Sequence, residues 1–386
     1  MNLHFSGSNT PTIGVEIELQ ILDPDSLDLT PQSEKILQLC QEYGLERVKT
    51  EIHQSMLEID SEICLNVQEC KNYLRGRLIR LNEIAEASGL KLGITGTHPF
   101  QHWKERLISN QERYLSLHDK FQWLVRRMNV YGVHVHIAMP SGNHALAISR
   151  ATMRYLPILL ALSANSPFWQ GIATGMQSSR VNILESFPYS GLPLSFASWH
   201  EFEHYYSSLH RVGAIHSLKD LYWYIRPNLS FGTIEFRICD TMSTLSETMA
   251  LVALIHCLTV SIHEEMKNGS YNESWTLEHQ WIAPHNLWIA ARDGLEGTIV
   301  TDPMGNTEKI SDAIISLIDR LSPVASRLDC KEELFFVKQI VTQGNGAQRQ
   351  LATFAKTSSL RDVVAMANRE FQEDLQENLC SISSPN

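Results

Sequence analysis

The chain has 386 residues, 43% hydrophobic and 19% charged, and its 32 Lys and Arg against 43 Asp and Glu leave a formal net charge of −11. This is the composition of a globular protein with enough chain to bury a sizeable core, which excludes overall disorder. The acidic balance and the lack of any basic run exclude the footprint that neutralises nucleic-acid phosphates or anionic lipid, so the expected partners are small molecules, with no nucleic acid and no membrane. The most apolar stretches, around Leu156 to Ala164 and Met249 to Ile262, read as shorter than the roughly 18 residues that a span requires and are interrupted by Pro157, Ser163, His256 and Thr259. Met1-Asn2-Leu3-His4-Phe5 has no basic n-region and no continuous apolar stretch, so the expected location is cytoplasmic. The seven cysteines form no CxxC and no regular spacing, which describes reduced, buried thiols and not a disulfide framework.

In chain order, alternating apolar positions predict a strand over Thr12 to Ile21, and helical spacing follows over Ser33 to Tyr43. A strand over Glu51 to Ile59, a helix over Cys70 to Ala87, a short strand near Leu92 to Thr95 and a helix over Asn110 to Arg127 come next. The strand Val130 to Ala138 leads into helices over His144 to Leu162 and Ser198 to Val212, then strands over Tyr222 to Ile225 and Leu229 to Ile238. Helices over Ser246 to Lys267, Ile310 to Leu321, Lys331 to Gln343 and Ser359 to Glu377 complete the chain. The strands are too unevenly spaced for a βα repeat, so the expected class is α+β, with an antiparallel or mixed sheet. No composition shift or internal repeat divides the chain, which is expected to form one domain over residues 1–380 with a flexible tail at 381–386.

No G-x-x-x-x-G-K-[ST] loop is present. The segment Gly344-Asn345-Gly346-Ala347-Gln348-Arg349 lacks the last glycine of a dinucleotide fingerprint and lies between helices, so it reads as a polar loop or helix cap. Its Arg349 would suit an anion, such as a nucleotide phosphate, near a helix N-terminus.

The informative pattern is charge at period two inside apolar strands: Glu16 and Glu18, His134 and His136, Glu235 and Arg237. That period puts each pair on one face and the intervening Ile17, Val135 and Phe236 on the other. A face so rich in carboxylates must be solvated or neutralised, because a buried unpaired carboxylate is costly. No lysine on these three strands pairs Glu16 and Glu18, which favours a joint metal site over three ordinary exposed pairs. Oxygen ligands suit Mg²⁺, and a histidine among them admits Mn²⁺. Glu51 and Glu58 have opposite parity, so both serve one site only with a bulge or an irregular strand start; Glu58 is the better candidate, since Leu57 and Ile59 share the alternate face.

His200-Glu201-Phe202-Glu203-His204 matches H-E-x-x-H, and His210 falls where the extended zinc motif has its third ligand. Ser207 stands where that motif breaks its helix with glycine. At about 100° per residue, His210 lies roughly 120° from His204, so one uninterrupted helix cannot converge all three. A solvated amphipathic helix is expected, with a zinc-dependent hydrolase as the alternative function.

Six segments in order carry a resemblance: Thr12-Ile13-Gly14-Val15-Glu16-Ile17-Glu18-Leu19, Gly96-Thr97-His98-Pro99-Phe100, Gly132-Val133-His134-Val135-His136, Asn165-Ser166-Pro167-Phe168-Trp169-Gln170-Gly171, Gly232-Thr233-Ile234-Glu235-Phe236-Arg237-Ile238-Cys239-Asp240 and Gly344-Asn345-Gly346-Ala347-Gln348-Arg349-Gln350. Together they resemble the type 2 glutamate–cysteine ligase family, also called carboxylate–amine ligases, through nearly the whole chain. The resemblance implies a glutamine synthetase catalytic-domain-like fold, in which one face of a curved sheet is covered by helices and the other forms the active site. It implies an ATP-dependent ligase that forms an amide through a γ-glutamyl phosphate, with glutamate and an amine such as cysteine as substrates, ATP and Mg²⁺ (or Mn²⁺) as cofactors, and room for a homo-oligomer. It assigns Glu16, Glu18, Glu51, Glu58, His136 and Glu235 to metal, with His134 as the alternative imidazole ligand. It assigns Arg237 to phosphate, and it leaves Arg180 and Arg226 either for substrate carboxylate or phosphate or for structural ion pairs. Asp60-Ser61-Glu62 departs from the small uncharged residues expected there. A ligand-binding relative that keeps the fold without turnover is the non-enzyme alternative. Loops Ser186 to Pro193 and Tyr271 to Pro284 are candidate covers for a dry site.

Overall fold

The computed structural model describes residues 3–271 and 275–382. Its organising element is a seven-stranded sheet built from β1 (Ile13–Leu22), β2 (Val48–Thr50), β3 (Met56–Asp60), β4 (Lys91–Gly93), β5 (Val133–Ala138), β6 (Ile225–Asn228) and β7 (Thr233–Phe236). The order is β6-β7-β5-β1-β3-β2, with β4 on the C-terminal part of β1. Every pairing in it is antiparallel, which settles the expected choice between antiparallel and mixed.

Alternation decides which face is buried. Val15, Ile17, Leu19 and Ile21 of β1, Leu57 and Ile59 of β3, Val133, Val135 and Ile137 of β5, and Ile234 and Phe236 of β7 are almost wholly buried in one cluster. Helices cover that face, including Val67–Ala87 and the central helix Leu245–Lys267. Asn66 caps the first, accepting from the Glu69 N–H, and Thr244 caps the second, accepting from Glu247. The central helix is apolar on all sides, as a helix surrounded by other elements must be.

The helices expected over His144 to Leu162 and Ser246 to Lys267 form as Gly142–Ser163 and Leu245–Lys267, but the reading of their apolar stretches as too short and too broken to span does not hold: they run 22 and 23 residues and are apolar enough to cross a membrane by length and composition. They pack inside the protein instead, with 83% and 89% of their apolar windows buried. Polar residues such as His256, which bonds the Pro11 carbonyl at 2.9 Å, interrupt the stretch in sequence without interrupting the helix.

Other differences have local causes. The helix expected over Asn110 to Arg127 divides into Glu112–Phe121 and Trp123–Arg126 because Gln122 takes φ 48°. The helix Ile310–Arg327 runs past Leu321 and through Pro323, carried by buried Val324 and Ala325. The segment Gly346–Thr357 is a helix, opened by a capping box between Asn345 and Gln348. The strand expected over Glu51 to Ile59 starts only at Met56, and Leu229 to Gly232 form the turn before β7. Of the expected tail at 381–386, residues 383–386 lie outside the described residues, and the last helix runs to Ile382.

Leu254 lies fully buried on the central helix. Leu254→Ala should cost about 2–5 kcal/mol in denaturant unfolding, the transfer term plus a cavity; a loss under about 1 kcal/mol would contradict the burial of that helix.

Candidate active site

The strand register assembles the charged pairs. Cross-strand neighbours share a face, so Arg226, Glu235 and His136 form one row across β6, β7 and β5, ending at Gly14 of β1. A second row holds His134, Glu16 and Asp60, and a third holds Glu18, Glu58 and Lys49. Arg237, two residues beyond Glu235, joins the same face. A cavity of about 450 Å³ opens over these rows, lined also by Glu51, Arg113, Arg180 and Tyr222.

Glu16 is the centre of the array. Its Oε2 lies 2.9 Å from His134 Nδ1 and its Oε1 lies 3.2 Å from His136 Nε2. Two groups of donor atoms, each within 4.8 Å of one another, share it: Glu16, His136 and Glu235, and Glu16, Glu58 and His134. Glu18 stands beside the second, 3.8 Å from His134 Nε2, and accepts from the Gly132 N–H. Glu235 is gripped by Arg226, whose Nε is 3.0 Å from Oε2, and by Arg237. Arg226 also donates to the Leu218 and Leu221 carbonyls, at 3.1 and 2.9 Å.

The electrostatics divide these carboxylates. Burial pushes Glu18 up to about 7 against the pull of Arg180, and burial with the nearby Glu16, Glu51 and Asp60 carboxylates holds Glu58 well above its ordinary range. Burial also raises Glu51, with Arg113 opposing. Burial would raise Glu16 too, but His136 and His134 outweigh it and hold the group low. Glu235 is likewise held low against burial by Arg226, Arg237 and His136. Burial lowers His134 to about 4, with Arg237 adding to the effect, whereas Glu16 and Glu235 overcome burial at His136 and raise it.

This donor set fits a divalent cation. His134 Nε2 and His136 Nε2 are buried without an aligned hydrogen-bond partner, although carboxylate oxygens lie close to both. Carboxylates that carry charge only reluctantly, beside such nitrogens, are what a hard cation would satisfy.

The sequence reading missed Lys49, because three-residue β2 has no periodic signal. Its ammonium sits 3.2 Å from Glu58 Oε1 and also pairs with Asp60, so a lysine does neutralise part of this face. The unexpected Asp60 thereby has a partner, while the Ser61 hydroxyl accepts from the Val15 N–H at 2.9 Å. Arg113 and Tyr114, in the first turn of helix Glu112–Phe121, were also missed because helical spacing does not show which cavity a helix borders, and Tyr222 was missed on its two-residue strand.

Several of the motifs serve as scaffold. Asp240 accepts from the Asn165 N–H at 2.9 Å, the Ser166 hydroxyl at 2.6 Å and the Ser178 hydroxyl at 2.9 Å. Gln350 donates to Asn165 Oδ1 at 2.7 Å, and Asn165 donates to the Thr241 carbonyl at 2.7 Å. This buried network sets the start of helix Arg180–Leu184, from which Arg180 reaches back to the Ile238 carbonyl at 3.0 Å. A Cβ on Gly132 would overlap the Arg180 guanidinium, which explains the glycine there.

Not every candidate joins the site. Arg349 is absent from the cavity lining; it lies 2.7 Å from Glu247 and 3.1 Å from Glu370, so its charge serves helix packing and not an anion. His200, His204 and His210 are exposed on helix Trp199–Arg211, whose inward face is Phe202 and Tyr206. The expected solvated amphipathic helix is what forms: its histidines face solvent and do not converge, while Glu203 accepts from the Leu3 N–H at 2.7 Å. Neither expected cover lines the cavity among the described residues. Residues 272–274 lie outside the described residues, and a helix, Trp275–Asp293, occupies the rest of Tyr271 to Pro284.

An antiparallel sheet of this order, helical on one face and charged on the other, defines a class. The fold is that of glutamate–cysteine ligases: the enzyme from Francisella tularensis, solved in complex with AMP, matches with a TM-score of 0.68 at 11% identity, over 99% of this chain and 92% of that one. The chain itself belongs to glutamate–cysteine ligase family 2, whose model matches residues 12–372. The protein named "Putative glutamate--cysteine ligase 2" from Gloeobacter violaceus is 40% identical over 372 residues, covering 95% of this chain and 98% of its own. Its namesake from Thermobifida fusca is 36% identical over 376 residues, covering 96% and 94%. The chain is thus a glutamate–cysteine ligase-like enzyme that forms a C–N bond, which sets aside the hydrolase and the non-catalytic alternative.

The raised carboxylates give a pH dependence with a definite sign. Burial pushes Glu18 up to about 7 and Glu58 upward too, so a cation bound beside them would displace protons where free glutamate holds none. Binding of Mg²⁺ or Mn²⁺ should therefore release protons at pH 6–7 and tighten as pH rises through about 7. Calorimetry in buffers of different ionisation enthalpy measures this, and uptake or no exchange of protons would contradict it.

Proposed function

We propose that this chain is an ATP-dependent carboxylate–amine ligase that activates the side-chain carboxylate of glutamate as γ-glutamyl phosphate and joins it to an amine, cysteine being the acceptor the family name points to. The carrying observation is the pair of donor groups that share Glu16, with Arg237 beside them on the same sheet face. The AMP held by the Francisella ligase supports an adenine nucleotide as the co-substrate. The proposed location is the cytoplasm, where ATP and glutamate are available.

In this reading Glu16, Glu18, Glu58, His134, His136 and Glu235 hold Mg²⁺, or Mn²⁺ in its place. A cation held by these residues would supply charge that neutralises phosphate oxygens. The protein's own part is positioning. The γ-phosphoryl group moves to a carboxylate oxygen of glutamate as its bond to ADP breaks. The amine nitrogen then attacks the acyl carbon, phosphate leaves, and the amine loses a proton. Arg237 has one face of its guanidinium spent on Glu235 and its side chain still 20% exposed, so the remaining N–H groups can meet phosphoryl oxygens. Arg226 keeps Glu235 oriented from the other side, and Arg180, bonded to the Arg237 and Ile238 carbonyls, fixes the backbone that carries Arg237.

Incubation with ATP, Mg²⁺, glutamate and cysteine should yield ADP, phosphate and a product of the mass of γ-glutamylcysteine. Glu235→Gln should keep the fold and lower turnover by on the order of 10²–10³. Arg237→Lys keeps the charge and loses the fork, so glutamate-dependent ATP cleavage in a single turnover should fall much more than ATP affinity. A lysine variant with a lower melting temperature and normal kinetics would make Arg237 a structural partner of Glu235 only.

A further inference from the structure

Three of the six sequence segments, those beginning at Gly96, Asn165 and Gly344, contribute no residue to the cavity lining. They converge instead on Asp240, a fully buried carboxylate that also stands outside the cavity. A Cβ on Gly96 would overlap the Asp240 carboxylate, and the Gly96 N–H donates to the Asn165 carbonyl at 2.9 Å. A Cβ on Gly346 would overlap the Asn165 side chain, and Gln350 donates to the Asn165 carbonyl at 3.0 Å. The Asn165 N–H then donates to Asp240 Oδ2 at 2.9 Å.

From Asp240 the bonds run on to the arginines. The Ser166 hydroxyl is the joint: it donates to Asp240 Oδ2 at 2.6 Å and accepts from the Arg180 N–H at 3.1 Å. The Ser178 hydroxyl, donating to Oδ1 at 2.9 Å, holds the chain two residues before Arg180. Arg180 closes the loop, with Nη1 3.0 Å from the Ile238 carbonyl and both Nη atoms 3.3 Å from the Arg237 carbonyl. This closure sits where the strand runs out. β7 ends at Phe236, and past it the Arg237 N–H donates to the Tyr224 carbonyl at 2.8 Å while its carbonyl is held by Arg180.

We propose that Asp240 is a positioning residue for phosphoryl transfer: acting through Ser166 and Arg180, it fixes the backbone from which Arg237 meets the phosphoryl group. This rests on the ligase reading and adds to it a residue that touches neither the cation nor a substrate. A displacement of roughly 1 Å in a group that must meet the transition state costs on the order of 10² in rate, with far less effect on ground-state binding.

The test uses the full-length protein with Mg²⁺, ATP, glutamate and cysteine, well below its melting temperature. Asp240→Ala should lower the single-turnover rate of glutamate-dependent ATP cleavage on the order of 10–100-fold, while ATP affinity and Mn²⁺ binding change by less than about threefold. Asp240→Asn should recover most of the rate, because the amide oxygen accepts from Asn165 and Ser166 and the amide nitrogen donates to a Ser178 hydroxyl turned to accept. Since the effect runs through Arg237, adding Asp240→Ala to Arg237→Lys should cost less than about threefold more. A normal rate in Asp240→Ala with a lower melting temperature, or the full loss repeated on top of Arg237→Lys, overturns the proposal. If the alanine variant does not fold, Ser166→Ala removes the hydroxyl that joins Asp240 to Arg180 and carries the same predictions. Amide exchange reads the positioning without turnover: the Arg180 and Arg237 amides should lose protection in Asp240→Ala relative to those of β3, and unchanged protection overturns it. A wild-type protein that binds ATP and glutamate but never cleaves ATP would sink the ligase reading, while the exchange result would still decide whether Asp240 holds the Arg237 backbone.

Discussion

Five glutamates, Glu16, Glu18, Glu51, Glu58 and Glu235, crowd one face of the sheet or its margin, and the rest of the site is arranged around the cost of that crowding. Water solvates groups this buried poorly, and like charges raise one another further. The protein supplies partial relief: Arg226 and Arg237 on Glu235, Lys49 on Glu58 and Asp60, and imidazoles on either side of Glu16. What remains unrelieved is concentrated at Glu18, Glu51 and Glu58, whose carboxyls are all shifted upward, next to imidazole nitrogens without aligned partners. A site in this condition favours positive charge, which a divalent cation would supply.

The fold makes such a face tolerable by burying the other one completely. Each strand that places a carboxylate or imidazole over the cavity places Ile, Leu, Val or Phe beneath it, and those side chains form a continuous core with the central helix. Hydrophobic burial on that side offsets the desolvation on the other. The buried network around Asp240 then joins distant segments, so that Arg180 and the backbone near Arg237 are held from outside the sheet. Removing it would loosen the arginines without touching a ligand.

What could be read from the sequence follows from what is periodic. Glu16 with Glu18, His134 with His136, and Glu235 with Arg237 announce a common face because strand geometry has no freedom at period two. The same parity preferred Glu58, which lies on the strand beginning at Met56 and joins a donor group with Glu16 and His134, over Glu51, which precedes that strand. Lys49 was invisible because its strand is three residues long. Arg113 was invisible because it owes its position to tertiary hydrogen bonds through Ser109 and Gln111. Arg349 misled because a cation beside a glycine-rich turn looks the same in sequence whether its partner is a phosphate or, as here, Glu247 and Glu370. The HEFEH segment resolved correctly because helix angles, like strand parity, are fixed by local geometry.

The proposed function depends most on Glu16, the carboxylate that both donor groups share. Electron paramagnetic titration of Mn²⁺ into the wild-type protein and a Glu16→Gln variant tests it most directly, since the substitution removes one charge shared by both donor groups and preserves shape. The account predicts that Mn²⁺ bound by the wild type is largely lost from the variant while its melting temperature without metal is kept or raised. Mn²⁺ bound with the same stoichiometry and affinity by both would contradict it.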